Sequence, residues 1–305
     1  MLRALHDELH KEGDFAHCVG IYGIPGVGKT RLALEFAARH KSEYNDFVLW
    51  IGASNQLSII DALVKIARAT KCIPEGVDPE DKRTHRDIAI FAKQWLEGPK
   101  VDKWLVIFDN IDDVSDVTSF VPVPAPSKHI LLTTRFAVHL KKNDFTARAF
   151  QLSVMDIEDA VTLLLRRALP IDAEATADEE TCAREIVAEL GCLPLAINQA
   201  GSYLLQSREG GMKLSDFLPE YRAEAATYLG SRLEGDEEYP ISVRTTFLLS
   251  YNLLLAKKKR GLQATRLLKL LAFFHPDTTH ESFLVAGLGR LVPELQTVLS
   301  NRGLS

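Results

Sequence analysis

Lys29 and Thr30 close the run Gly23-Ile24-Pro25-Gly26-Val27-Gly28-Lys29-Thr30, a spacing of glycines, ammonium and hydroxyl suited to gripping a polyphosphate. Gly23, Gly26 and Gly28 let the backbone wrap closely enough for successive N–H groups to face phosphate oxygens. The Lys29 ammonium supplies a cation for the β- and γ-phosphates, and the Thr30 hydroxyl is a hard oxygen ligand for Mg2+. Val27 and Arg31, inside and just after the run, belong to the same nucleotide-binding set. Magnesium also calls for a carboxylate, which Asp109 offers at the carboxyl end of the apolar run Trp104-Leu105-Val106-Ile107-Phe108. Thr30 and Asp109 are therefore the expected metal pair.

Hydrolysis asks for a group that orients or deprotonates water beside the γ-phosphate, ordinarily next to the metal carboxylate. That position holds Asn110. An amide orients water but takes no proton near neutral pH, so slow turnover is expected unless Asp112 or Asp113 reaches the site. Those two acids read better as residues that cap or solvate the loop. Thr133, Thr134 and Arg135 end a further apolar run, where the Arg135 guanidinium could sense a γ-phosphate and so separate ATP from ADP. The expected catalytic group is Asp109, Asn110 and Arg135.

These side chains need a scaffold that presents them together. Five short apolar runs, Ala16 to Tyr22, Phe47 to Ala53, Trp104 to Asp109, His129 to Thr134 and Ala149 to Val154, read as strands buried on both faces. Between the earlier runs, Lys29 to His40, Gln56 to Ala69 and Arg86 to Leu96 carry apolar residues at helical spacing, with Thr84 and Asp87 patterned as a capping box. The expected fold is α/β, a five-stranded parallel sheet with helices on both faces. Beyond residue 155 the strand signal stops, and six segments between Asp156 and Phe274 read as helices. Weak periodicity at Pro170 to Glu180 and Gly230 to Pro240 marks candidate seams. The expected domains are 1–155 for the nucleotide-binding sheet, 156–235 for a helical subdomain and 236–305 for a third part, which the family resemblance given below makes the start of a winged helix.

Composition narrows the class. With 46% hydrophobic and 25% charged residues the chain can build cores, and its net charge of −5 provides no basic field for coating nucleic acid. No apolar stretch approaches the ~20 residues of a membrane-spanning helix, so no membrane partner is expected. The four cysteines form no C-x-x-C pair and fit a reducing compartment, which makes the cytoplasm the expected location. The nine histidines show no metal-ligand spacing: His6 and His10 stand four apart, but the sequence reveals no third ligand beside them. The basic run Lys257-Lys258-Lys259-Arg260 reads as a solvated loop between helices, with a nuclear signal or an acidic partner as the alternative.

The phosphate loop, Leu-Val-Ile-Phe-Asp-Asn at 105–110, Thr-Thr-Arg at 133–135 and Gly-Cys-Leu-Pro-Leu-Ala at 191–196 follow one another in an order that resembles the NB-ARC family. This is the nucleotide-binding switch of plant resistance proteins, apoptosome scaffolds and fungal NOD-like receptors, and Asp-Asn-Ile-Asp-Asp is most similar to the fungal branch. The resemblance implies that Gly23, Gly26, Gly28, Lys29 and Thr30 hold the phosphates, Asp109 the magnesium, Arg135 the γ-phosphate and Pro194 the face of the base. Pro194 also suits the first turn of a helix, where its rigid ring lacks an N–H that would go unused. Ser242 to Ser250 and Leu267 to Phe283 resemble the approach to the winged helix. Three departures stand out. No Gly-Arg element lies upstream of Leu2, the chain reaches Ser305 without a Met-His-Asp motif that His275 or His280 would match, and Asn110 replaces a second aspartate.

What the resemblance implies about function is an ATP/ADP-dependent switch with Mg2+. It would be closed with ADP, competent to self-associate with ATP, and coupled to an N-terminal effector and C-terminal repeats outside this chain. Two rivals predict different behaviour: a continuously cycling P-loop ATPase, and a scaffold whose site has lost nucleotide.

Overall fold

In the computed structural model, which describes residues 1–11, 17–137, 141–142, 145–231 and 240–274, the chain divides into two compact units, Met1–Val154 and Met155–Ser305. The first unit runs α1 (Leu2–Leu9), β1 (Cys18–Tyr22), α2 (Lys29–His40), β2 (Val48–Gly52), α3 (Gln56–Thr70), α4 (His85–Glu97) and β3 (Trp104–Ile111). It continues through α5 (Val114–Val117), β4 (Lys128–Thr134), a small antiparallel pair β5 (Lys141–Lys142) and β6 (Phe145–Thr146), and β7 (Arg148–Gln151). The five anticipated strands are all present; the β5–β6 pair has no counterpart in the sequence reading.

The main sheet has the order β2-β3-β4-β1-β7, with every neighbouring pair parallel. Parallel strands require crossovers, and the helices that make them cover both faces. Alternate residues show the division. Val106, Phe108, Ile130 and Leu132 belong to one apolar cluster with Ile59, Leu63 and Ala67 of α3 and Ile88, Ala92 and Leu96 of α4. Leu105, Ile107, Leu131, Val19 and Ile21 carry the opposite parity and are just as fully buried, and α1 and α2 pack on the strands there through Leu5, Leu9, Ala33 and Phe36. Burying one such aliphatic side chain is worth about 1.5–3 kcal/mol, so β3, buried on both faces along Trp104–Phe108, anchors the unit. The Trp104 indole N–H finds an acceptor in the Leu96 carbonyl at 2.9 Å, which lets a polar group sit in this core.

This topology positions the chemistry. β1 and β3 are not adjacent; β4 lies between them, so the carboxyl end of β4 falls between the loop after β1 and the end of β3. Ligands of parallel sheets bind at that edge.

The second unit is helical: α6 (Ile157–Ala168), α7 (Ala177–Glu189), α8 (Pro194–Ser207), α9 (Leu214–Ser231), α10 (Ile241–Ala256) and α11 (Lys258–Leu271). α6 packs on α7 and α8, and α10 on α8, α9 and α11. Two local expectations are corrected here. Thr84 makes no capping bond; its backbone is already helical after a single turn at Lys82–Thr84, so its hydroxyl donates backward to the Asp78 and Asp81 carbonyls. The capping box lies at Thr176 and Glu179, where the side chain of each residue accepts from the other's backbone N–H and starts α7 inside the predicted seam. The basic run is not a loop either. Lys257 alone separates α10 from α11, and Lys258 to Arg260 form the first turn of α11, as straight-chain residues readily do. Half of the predicted winged helix, including His275 and His280, lies outside the described residues, as does most of the seam at Gly230 to Pro240. Among the described residues, no helix is long and apolar enough to cross a membrane.

Candidate functional site

The phosphate loop leaves β1 at Gly23 and enters α2 through Gly28. The Leu152 N–H donates to the Tyr22 carbonyl at 2.8 Å, bringing the chain after β7 against the start of the loop. A Cβ on Gly23 would stand 2.6 Å from the Leu152 carbonyl oxygen, a backbone atom unable to yield, so no larger residue fits. Gly28 caps α2 with φ at +104°, in the left-handed region that glycine enters without steric cost. The loop thus feeds straight into a helix N-terminus, whose unsatisfied N–H groups and dipole favour an anion.

Lys29 arches back over this loop, its Nζ donating to the Gly23 carbonyl at 2.8 Å and the Ile24 carbonyl at 3.1 Å. Burial lowers its pKa from the ordinary lysine value, the Arg135 charge lowers it further, and Asp109 opposes both. Lys29, Arg135 and Asp109, far apart in the chain, therefore share one electrostatic environment. Val27 is buried beneath the loop, whereas Arg31 is exposed on the first turn of α2.

Asp109 is the hub of the site. The Thr30 hydroxyl donates to both its oxygens, at 2.9 and 3.2 Å, and the Thr133 hydroxyl donates to Oδ1 at 2.6 Å. Thr133 in turn accepts from the Asn110 backbone N–H at 2.8 Å, so this hydroxyl, only 1% exposed, is used in both directions. The Ala53 N–H donates to the Asp109 carbonyl at 2.7 Å, and the Thr134 hydroxyl to the Ile111 carbonyl at 2.9 Å. The β3–β4 register slips between Phe108 and Ile111, and Asn110 sits in the slip with φ at +63°. Asparagine tolerates that left-handed conformation better than most residues, which gives Asn110 a backbone role besides any catalytic one.

The remaining acids take structural parts. Asp112 Oδ1 stands 3.7 Å from Arg135 Nε, and its other oxygen lies 3.5 Å from the Asn110 amide nitrogen. Asp113 accepts from the Ser115 N–H at 2.9 Å and starts α5. Both contacts agree with residues that order the loop. Thr133 is the residue the motifs did not single out: it stood only as a neighbour of Arg135, although a hydroxyl one strand from the candidate carboxylate Asp109 was the available signal.

Pro194 belongs to the second unit, where it forms the first turn of α8 after the left-handed pair Gly191 and Cys192. Its neighbour Leu195 lines an apolar cavity of about 410 Å³ with Gln199, Tyr228, Val243, Arg244, Phe247 and Leu248.

A donor set of one hydroxyl and one carboxylate, side by side, suits Mg2+, which prefers hard oxygen ligands and keeps several waters. The Thr30 Oγ1 to Asp109 Oδ1 separation of 2.9 Å matches the edge of an octahedron with bonds of about 2.0–2.1 Å. Strand, glycine-lined loop, helix and facing carboxylate together define a P-loop nucleotide-binding domain. The model of the NB-ARC domain matches residues 1–174, and the chain belongs to that family. It is 30% identical over 68% of its length to a nucleotide-binding leucine-rich repeat (NLR)-like protein of Hyaloscypha variabilis, of which it covers 21%. It is also 27% identical over 79% of its length to the regulatory protein AfsR of Streptomyces griseus, covering 23% of that protein. A putative disease resistance RPP13-like protein 3 of Arabidopsis thaliana is 24% identical over 65% of the chain, which spans 24% of it. The chain thus covers less than a quarter of the length of each of these relatives.

Proposed function

We propose that this chain is the ATP/ADP switch of a larger receptor-like signalling protein, closed with ADP and competent to oligomerise with ATP. The observation that carries the reading is the relay Thr30–Asp109–Thr133–Asn110 beside Lys29, which ties the phosphate loop, β3 and β4 into one polar unit. Lys29 and the loop N–H groups hold the phosphates, and Thr30 and Asp109 hold magnesium. Mg2+ held by these two residues would neutralise part of the phosphate charge. Arg135, whose charge acts on that of Lys29, is the residue that registers a third phosphate in this reading.

Asn110 orients water without accepting its proton, so turnover is slow and serves to reset the switch. A ligand moves such an equilibrium only by its different affinities for the two states, and Arg135 is the group whose contacts differ between ATP and ADP. The Hyaloscypha and Arabidopsis relatives, named as NLR-like and disease-resistance proteins, support a signalling context, with effector and repeat domains elsewhere in the whole protein. The test is to denature the purified chain, identify released nucleotide by chromatography, and titrate the stripped protein with ADP and ATP by calorimetry. Tight ADP with few turnovers is expected. Rapid unassisted cycling would favour a motor, and no nucleotide with no affinity would sink the switch.

A further inference from the structure

At the end of α2 remote from the phosphate loop, the fold gathers a second polar cluster. His6 and His10 face one way from α1, being one helical turn apart, and the single turn Lys41–Tyr44 after α2 brings Glu43 against them. His6 Nε2 lies 3.0 Å and His10 Nε2 3.9 Å from Glu43 Oε2, and the three ligand atoms all fall within 4.8 Å of one another. The third ligand that the sequence did not reveal is thus supplied by tertiary structure. We propose that His6, His10 and Glu43 form a binding site for a zinc-type divalent transition-metal ion.

The geometry suits that ion. Four-coordinate Zn2+ with bonds of about 2.0–2.1 Å sets its ligands roughly 3.3 Å apart, between the two separations seen. His10 Nδ1 lies 2.8 Å from the His6 carbonyl, a pure acceptor, so the proton resides on Nδ1 and Nε2 offers its lone pair. His6 exposes the same lone pair once its proton moves to Nδ1, which has the Asp7 carboxylate 3.8 Å away. Glu43 keeps its second oxygen on His40 Nδ1 at 2.7 Å, the kind of outer bond that orients a ligating carboxylate.

Packing gives a second, independent reason. The rings of His6 and His10 stack at 4.1 Å, those of His6 and His40 at 4.7 Å, and His10 meets His129 edge-on at 4.5 Å. These contacts already hold the rings of His6 and His10 side by side, so little side-chain freedom remains to be lost when an ion binds. Two imidazoles and one carboxylate are the donors of a three-ligand zinc site with a fourth position open, and imidazole discriminates against the Mg2+ of the nucleotide site. The three ligands are 31%, 37% and 41% exposed, within reach of an ion from solvent. Once bound, the ion would staple α1 to the far end of the helix that begins with Lys29 and Thr30.

The test uses the full chain without an affinity tag, stripped with chelator and then supplied with MgADP. Zn2+ is titrated by calorimetry and Co2+ by its visible absorption, with Mg2+ as competitor. One equivalent of Zn2+ and a Co2+ spectrum of low coordination number are expected. His10→Gln and Glu43→Gln should each remove both signals, with folding checked by circular dichroism; His40→Ala should weaken Zn2+ about 10–100-fold; Lys29→Ala should leave it unchanged. No stoichiometric Zn2+ binding, binding undiminished in folded His10→Gln and Glu43→Gln, or displacement by millimolar Mg2+ would overturn the proposal.

Discussion

The two ends of α2 teach different lessons about how a site is made. Its N-terminal end carries Lys29 and Thr30 straight from a contiguous loop, so the groups proposed to grip phosphate and metal are written side by side in the chain. At its C-terminal end, His40 and Glu43 meet His6 and His10 from the start of the chain, and His10 in turn meets His129 of β4, so the group is drawn from three distant stretches of sequence. Twelve residues, about 18 Å of helix, separate a motif from an assembly. The first end collects the N–H groups of a helix N-terminus; the second collects imidazoles around one carboxylate.

Substitution should separate the two ends. Lys29→Ala removes the cation facing the phosphates and should lower ADP affinity about 100-fold, the upper range for a hydrogen bond to a charged group, as measured by calorimetry. Zn2+ affinity should not follow. Loss of both together would show that the ends are one cooperative site.

Acid should attack the opposite end. His129 is held near pKa 4 by burial and then by the neighbouring His10 and His17, against an ordinary value of 6.5. Its Nε2 donates to the Pro126 carbonyl at 3.2 Å and its Nδ1 accepts from the Tyr44 hydroxyl at 2.6 Å, an arrangement open only to the neutral ring. Between pH 6.5 and 4 the unfolded chain therefore binds the extra proton. The stability contribution is complete above pH 6.5 and disappears as pH falls toward 4, by roughly 3 kcal/mol at most. Urea unfolding across that range should show this slope, and His129→Gln should flatten it.

Within the nucleotide end, Thr133→Val keeps the shape but strands the Asn110 N–H and frees one side of Asp109. It should cost about 1–3 kcal/mol of stability in urea unfolding and weaken Mg2+-dependent binding in the same protein. A fall in stability with unchanged Mg2+ dependence would make Thr133 a purely structural tie. The smallest effect is expected from Asp109→Ala, about tenfold on nucleotide binding with Mg2+ and little on ADP binding with chelator present. If both conditions suffer alike, Asp109 holds the loop rather than the metal.

Much of the fold was legible because its strands are buried on both faces and read as continuous apolar runs. Trp104 to Phe108 is the clearest, and α2 is anticipated to the residue because Gly28 and Lys29 fix its start. The Thr84 cap was misjudged since spacing alone cannot report that the chain is already turning when it reaches Thr84. The β5–β6 pair escaped because strands of two residues carry no periodicity.

The sequence by itself determined the phosphate loop, the carboxylate that faces it and the parallel sheet between them, since each rests on residues adjacent in the chain or on a period of two or 3.6. Only the tertiary structure decided that Thr133 bridges Asp109 to Asn110, and that the distant His6 and His10 converge on Glu43. The strand order β3-β4-β1 and the packing of α1 against the end of α2 create those contacts, and neither is encoded in any local spacing.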